Sequence, residues 1–179
     1  MRTGKLWRIG GAAVLVLVFA AGVARAASAP DSWVTMKTKI SLLTTEGVST
    51  SNLHVDTVKG VVTLHGLVPT EAEKEKAGDV ARRIDGAKEV KNLLQVVPKS
   101  QRAVVKRSDD AIKKGVEAAF KANHRVHNSG IKVASVDNGV VLLSGKTKSL
   151  QTHLESVQVA NAVRGVRRVS TEVEVVPAS

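Results

Sequence analysis

Cysteine does not occur in the chain, which excludes disulfide staples, thiolate chemistry and a lipid-bearing N-terminal cysteine. Aromatic residues are nearly as scarce: two Trp, two Phe and no Tyr, with Trp7 and Phe19 falling in the first 26 residues. Base-stacking platforms are therefore missing, and nucleic acid is not an expected partner. The one long uncharged run covers 16 residues from Ile9 to Ala24, behind Arg2, Lys5 and Arg8 and ahead of Ala24-Arg25-Ala26. A basic start, an apolar centre and small residues at the cut describe a secretory signal peptide over residues 1–26. Sixteen residues fall short of the roughly 20 that a membrane-spanning helix needs. Cleavage after Ala26 is preferred, because cleavage after Ala29 would place Pro30 next to the cut. The mature chain is expected in the periplasm.

Removing that segment leaves 23 basic against 16 acidic residues, a net +7. The excess is uneven. Residues 31–98 carry nine of each sign, residues 99–108 carry Lys99, Arg102, Lys106 and Arg107 with no acid, and residues 109–179 carry ten basic against seven acidic. On an exported chain such a balance points to anionic lipid head groups or other acidic envelope surfaces.

What the chain does have is an internal repeat: residues 31–98 recur as 109–177. At an offset of 78, Asp31 falls on Asp109, Leu42 on Phe120, Val55 on Val133 and Val58 on Val136; after one inserted residue the offset becomes 79. From there Gly60, Gly66 and Gly86 fall on Gly139, Gly145 and Gly165, with core-type valines between them. Glycines and apolar residues persist while charges drift, so the repeat holds turn geometry and packing rather than a catalytic set. The six glycines are read as structural turns. Residues 99–108 form a basic linker between the copies.

Periodicity gives each copy the order helix, strand, strand, helix, strand. Trp33, Met36, Ile40 and Leu43 fall at helical spacing behind Asp31, a plausible cap, as do Ile112, Val116, Ala119 and Phe120 behind Ser108-Asp109. Leu53 to Val58 alternates, Lys59-Gly60 turns the chain and Val61 to Leu67 returns; Asp137-Asn138-Gly139 gives the same hairpin signal. Thr70-Glu71-Ala72-Glu73 reads as a capping box before a helix with Ala77, Val80, Ala81 and Ile84 on one face. The second copy supplies Leu150, Leu154, Val157, Ala160 and Val163, and Gly86 and Gly165 are expected to stop these helices. Val169 to Val175 then alternates with Ser170, Glu172 and Glu174 as a strand with one wet face. The predicted fold is α+β: two tandem αββαβ two-layer sandwiches, each a three-stranded mixed sheet covered on one face by two helices. The last strand should run parallel to the second.

The patterns Leu53-x-Val55, Gly60-Val61-Val62-Thr63-Leu64-x-Gly66 and Ile84-x-Gly86-x-x-x-Val90 resemble the BON domain. Ile131-x-Val133, Gly139-Val140-Val141-Leu142-Leu143-Ser144-Gly145 and Val163-Arg164-Gly165-Val166-x-x-Val169 resemble it more closely still, while Ala87 departs from the valine usual after the closing glycine. The resemblance implies a tandem-BON periplasmic protein with phospholipid or envelope association, stress-linked expression and a chaperone-like role for exported proteins. It implies no catalytic residues and no cofactor.

Three other constellations have simpler readings. The hairpin pairs His54 with His65, with Asp56 two positions along the same face, a donor set suited to zinc or copper. Lys132 and Ser144 replace both histidines in the second copy, so no metal site is assigned. His124 and His127 read as a solvated turn, and Ser144-Gly145-Lys146-Thr147 only mimics the end of a phosphate loop, since Val140 to Leu143 is a strand. The lipid-binding candidates are Lys113, Lys114, Lys121 and Arg125 on or after the second copy's opening helix, with Arg164, Arg167 and Arg168 beyond its closing helix. The expected function is non-enzymatic: binding anionic phospholipid or envelope surfaces in osmotic or envelope stress, with a periplasmic chaperone for unfolded or envelope proteins as the rival.

Overall fold

The computed structural model describes residues 29–176, so the leader read at the N-terminus and Pro177 lie outside the described residues. Helix α1 (Asp31–Thr44) follows Pro30, whose carbonyl takes the N–H groups of Trp33 and Val34. A hairpin of β1 (Leu53–Val58) and β2 (Val61–Val68) leads to α2 (Glu71–Arg82), then to β3 (Glu89–Asn92) and β4 (Gln95–Val96). Both short strands lie parallel along β2, so the first sheet has the order β1, β2, then β3 with β4. A 3-10 turn (Lys99–Gln101) runs into α3 (Arg102–Ala122), followed by the one-turn α4 (His124–His127). The second sheet is β5 (Gly130–Asp137), β6 (Val140–Thr147) and β7 (Arg168–Val175), with β7 parallel to the central β6 and α5 (Leu150–Asn161) between them. Two mixed sheets with their helices give the expected α+β fold, with the last strand beside the second. Among the described residues no helix is long and apolar enough to cross a membrane.

Each copy has its own core. Val34 and Leu42 of α1 and Ala77 and Ala81 of α2 close over Val55, Val62 and Leu64; Ile112, Val116 and Phe120 of α3 and Ala160 of α5 close over Ile131, Val133, Val141 and Leu143. Two helices bury a different face from the one their sequence periodicity predicts. The residues that α1 buries are Val34, Thr38 and Leu42, whereas Trp33, Met36, Ile40 and Leu43 are 47%, 44%, 52% and 67% exposed. Burying Thr38 is tolerable because its hydroxyl donates to the Val34 carbonyl at 2.8 Å. In α5, Leu150 and Leu154 likewise face outward, and Ser156 and Ala160 are the buried pair.

Several local readings also change. Asp31 and Asp109 do not cap helices: the Asp31 carboxylate accepts the N–H groups of Lys59 and Gly60 at 2.7 and 2.8 Å, and Asp109 accepts those of Asn138 and Gly139 at 2.8 and 2.9 Å. Each helix thus pins the tight turn of its own hairpin, where Lys59 and Asn138 take φ of 54° and 48° ahead of Gly60 and Gly139. Thr70 accepts the Glu73 N–H at 3.2 Å, half of a capping box, but the Glu73 carboxylate turns to the Ser49 N–H at 2.8 Å. Gly66 and Gly145 lie inside β2 and β6 rather than in turns, and Gly86 and Gly165 come three residues past the helix C-caps Arg83 and Ala162. Residues 99–108, expected as a basic linker, form the 3-10 turn and the first turns of α3.

The insertion also moves. A bulge at Ala134 interrupts the register between Val133 and Ser135, so Asp137 pairs with Val140 as Val58 pairs with Val61. Val58 therefore corresponds to Asp137 and not to Val136, and the bulge turns Asp137 onto the sheet face away from the helices.

Candidate interaction surfaces

Parity along the strands puts Thr63 and His65 of β2, and Val140 and Leu142 of β6, on the faces their helices leave open. These residues are nonetheless buried: Thr63 is 0% and Leu142 1% exposed. Leu93 and Val97 are buried as well and belong to neither helix-side core. The two open faces cover one another, with β2 running against β5. The wet face expected for β7 is thus partly the seam between the copies. Glu172 is half-buried there with Oε1 lacking a partner, and burial pushes its carboxyl up from the usual value.

The seam holds the histidine pair. His54 and His65 are register partners, with rings stacked at 5.2 Å between centroids. His65 Nε2 is 3.0 Å from Asp56 Oδ2 of its own copy, and its Nδ1 is 3.5 Å from Asp137 Oδ2 of the other. Burial disfavours the charged ring, but the Asp137 and Asp56 carboxylates outweigh it and raise the pKa to about 9. The His65 hydrogen bond in turn lowers the Asp56 carboxyl against its own burial. No group of three or more metal-ligating side chains among the described residues is arranged to hold a metal ion. His124 and His127 sit on the one-turn α4 around buried Val126, and the Ser144 to Thr147 segment is extended strand.

Since the sheets meet through their open faces, the helices lie on opposite outer sides of the molecule. The candidate basic residues do not converge on one patch. Lys113, Lys114 and Lys121 are exposed on α3 and carry no ion pair among the described residues, whereas Arg125 is paired with Glu155 at 3.2 Å. Arg167 donates to the Asn138 carbonyl at 3.2 Å, which places Arg164, Arg167 and Arg168 around the hairpin end that Asp109 holds. From Asp109 to Lys121 the helix rises roughly 18 Å, so the arginines and Lys121 occupy opposite ends.

The surface missed from sequence is the outer face of α1. At 100° per residue, Trp33, Met36, Ile40 and Leu43 centre about half a turn from the buried Val34, Thr38 and Leu42. Lys37 packs over the Trp33 ring at 5.6 Å, and Lys39 stands on the same helix. The repeat sharpens the contrast, because those four positions are Ala111, Lys114, Ala118 and Lys121 in the second copy. One outer face is apolar and the other basic.

A repeated αββαβ unit with a central second strand and two helices on one face of its sheet defines a tandem two-layer α/β architecture. The chain belongs to the BON domain family, which matches residues 30–98 and 108–177. It is 31% identical over 145 residues to the osmotically-inducible protein Y of Escherichia coli, covering 80% of this chain and 72% of that protein. It is 32% identical over 110 residues to the outer membrane lipoprotein DolP of Haemophilus influenzae, covering 62% of this chain and 55% of DolP. Likeness to the C-terminal domain of the Chlamydia trachomatis protein CdsD is remote, with 18% identity, a TM-score of 0.31 and coverage of 82% of this chain and 67% of that one.

Proposed function

We propose that this protein is an exported, non-enzymatic envelope protein that associates with anionic phospholipid surfaces during osmotic or envelope stress. The relatives are an osmotically inducible protein and an outer membrane lipoprotein, which supports the setting and a periplasmic location. The observation that carries the reading is the apolar outer face of α1. Four large apolar side chains on one exposed helical stripe, with a tryptophan at the start and Lys37 and Lys39 beside them, suit a helix lying in a lipid interface. Half-burying each side chain supplies about 1 kcal/mol, and each lysine near an anionic leaflet about 1 kcal/mol more. On the opposite side Lys113, Lys114 and Lys121 offer an electrostatic contact, with Arg125, Arg164, Arg167 and Arg168 at its ends. The two copies act as separate modules, residues 31–98 and 109–177, joined through residues 99–108.

Co-sedimentation with phosphatidylglycerol and phosphatidylcholine vesicles over a salt series tests this in a chain starting at Ala27, where Trp33 is the single tryptophan. Binding to anionic vesicles should blue-shift its fluorescence. Met36→Gln with Ile40→Gln should weaken binding roughly ten-fold or more and remove the part that resists salt. Replacing Lys113, Lys114, Lys121 and Arg125 with glutamine should remove the salt-sensitive part, since exposed charges are screened beyond about 10 Å at 0.1 M salt. Indifference to both sets of changes overturns the proposal. The same stripe suits an apolar segment of an unfolded exported protein, and binding that ignores lipid charge and salt while the protein suppresses client aggregation would establish that second reading.

A further inference from the structure

We propose that the seam between the two copies is a proton-operated latch: protonated His65 bridges Asp56 of its own copy and Asp137 of the other, and loss of that proton lets the two sheets part. The geometry leaves the ring little alternative. His65 is buried on the central strand of the first sheet, with Nε2 hydrogen-bonded to Asp56 at 3.0 Å in its own copy and Nδ1, which makes no hydrogen bond, at ion-pair distance, 3.5 Å, from Asp137 in the other. Around it stand His54 and Asp56 of β1, Lys91 of β3, Asp137 of β5 and Glu172 of β7, with Lys39 of α1 near Asp56. Farther out, Lys59 spans the seam to Glu174 at 3.8 Å, and Arg102 of α3 lies along its edge with Asn52, Leu67 and Asp137. Without the imidazolium, Asp56, Asp137 and Glu172 would meet at the seam with only Lys39 beside Asp56 and Lys91 beside Glu172 to offset their charge. The repeat sets no second latch against this one, because Ser144 stands where the first copy has His65.

Charging this ring is favoured in the closed molecule, since its pKa there is about 9 against an ordinary 6.5. A raised folded value contributes stability that is fully present below 6.5 and lost as pH rises through 9. Glu172, also raised, contributes in the same direction, while Asp56, lowered, requires a pH above its carboxylate range. The chain has neither cysteine nor tyrosine, so only the terminal amine and the lysine flank overlap an alkaline transition near 9.

The absence of cysteine also permits a clean distance measurement. With Glu75→Cys on α2 and Ala118→Cys on α3 labelled as a donor and acceptor pair, energy transfer should fall as pH rises from 7 to 10, with a midpoint near 9. The dye 8-anilinonaphthalene-1-sulfonate should brighten in parallel as Leu142, Val140, Leu93 and Val97 are uncovered, while far-ultraviolet circular dichroism stays constant. His65→Gln should abolish the transition and leave the pair separated at pH 7. Asp137→Asn, a milder change outside the sheet interior, should lower the midpoint by about one unit or more. Energy transfer that stays flat from pH 7 to 10 in the native chain overturns the latch, as does a His65→Gln or Asp137→Asn protein that folds and titrates like the native one.

Discussion

Gly145→Ala is expected to cost at least about 3 kcal/mol of stability, and Gly66→Ala a similar amount. Both residues take a left-handed φ, 112° at Gly66 and 123° at Gly145, and both sit opposite a carbonyl of the neighbouring strand. A Cβ would stand 2.0 Å from the Asn52 carbonyl oxygen in the first copy and 2.0 Å from that of Gly130 in the second. Neither oxygen can swing aside, because it belongs to the backbone beside β1 and to β5, and Leu67 N–H donates to the Asn52 carbonyl at 2.8 Å. Gly60→Ala separates the two penalties, since φ there is 82° but the nearest atoms belong to the flexible Lys88 side chain. It should cost only about 1–2 kcal/mol. Urea denaturation followed by circular dichroism measures all three, and a loss under about 1 kcal/mol at Gly145 would show that the strands can slide apart to admit the methyl. Against a domain stability of about 5–15 kcal/mol, 3 kcal/mol is a large fraction of the whole.

The repeat made those glycines visible in the sequence but not their cause. Turn chemistry is local, so Lys59-Gly60 and Asn138-Gly139 could be read from adjacent residues; a clash with a carbonyl twelve or more positions away could not. The same distinction explains the helix faces. Size and spacing favoured Trp33, Met36, Ile40 and Leu43 as the buried side of α1, because large apolar residues outweigh Val34 and Thr38 in any count of hydrophobicity. The signal that settles it was nonetheless present: at an offset of 78, Val34, Thr38 and Leu42 fall on Ile112, Val116 and Phe120, while Met36 and Leu43 fall on Lys114 and Lys121. Two copies of one fold share a buried face, so the face that stays apolar in both is the core. Leu150 and Leu154 yield to the same test, standing where the first copy has Glu71 and Glu75. What no local pattern could supply was the contact between copies. His65 against Asp137 depends on the placement of one sheet over another and on the bulge at Ala134 that turns Asp137 toward it.

Asp109→Ala is expected to destabilise the chain by about 3 kcal/mol, more than Asp31→Ala at about 1–2 kcal/mol. The Asp109 carboxylate is 6% exposed and accepts two backbone N–H groups of a turn that needs left-handed backbone at both central residues. Hydrogen bonds to a charged acceptor carry about 1.5–3 kcal/mol, and deleting the acceptor leaves two donors partly sealed from water. Asp31 makes the same pair of bonds at a wetter site, where solvent replaces the lost acceptor. Asp109→Asn keeps one acceptor oxygen and should fall between native and alanine. It should also change how stability responds to acid. Burial raises the Asp109 carboxyl above 3.8 despite the opposing bonds from Gly139 and Asn138. A raised folded value means a contribution that is complete below 3.8 and lost as pH climbs through the folded value. The native chain should therefore lose stability from this group across the acidic range, and the asparagine variant should show a flatter profile there. Denaturation midpoints collected between pH 3 and pH 7 on the three proteins check both parts, and an alanine variant as stable as native would mean that the turn holds its shape without the helix.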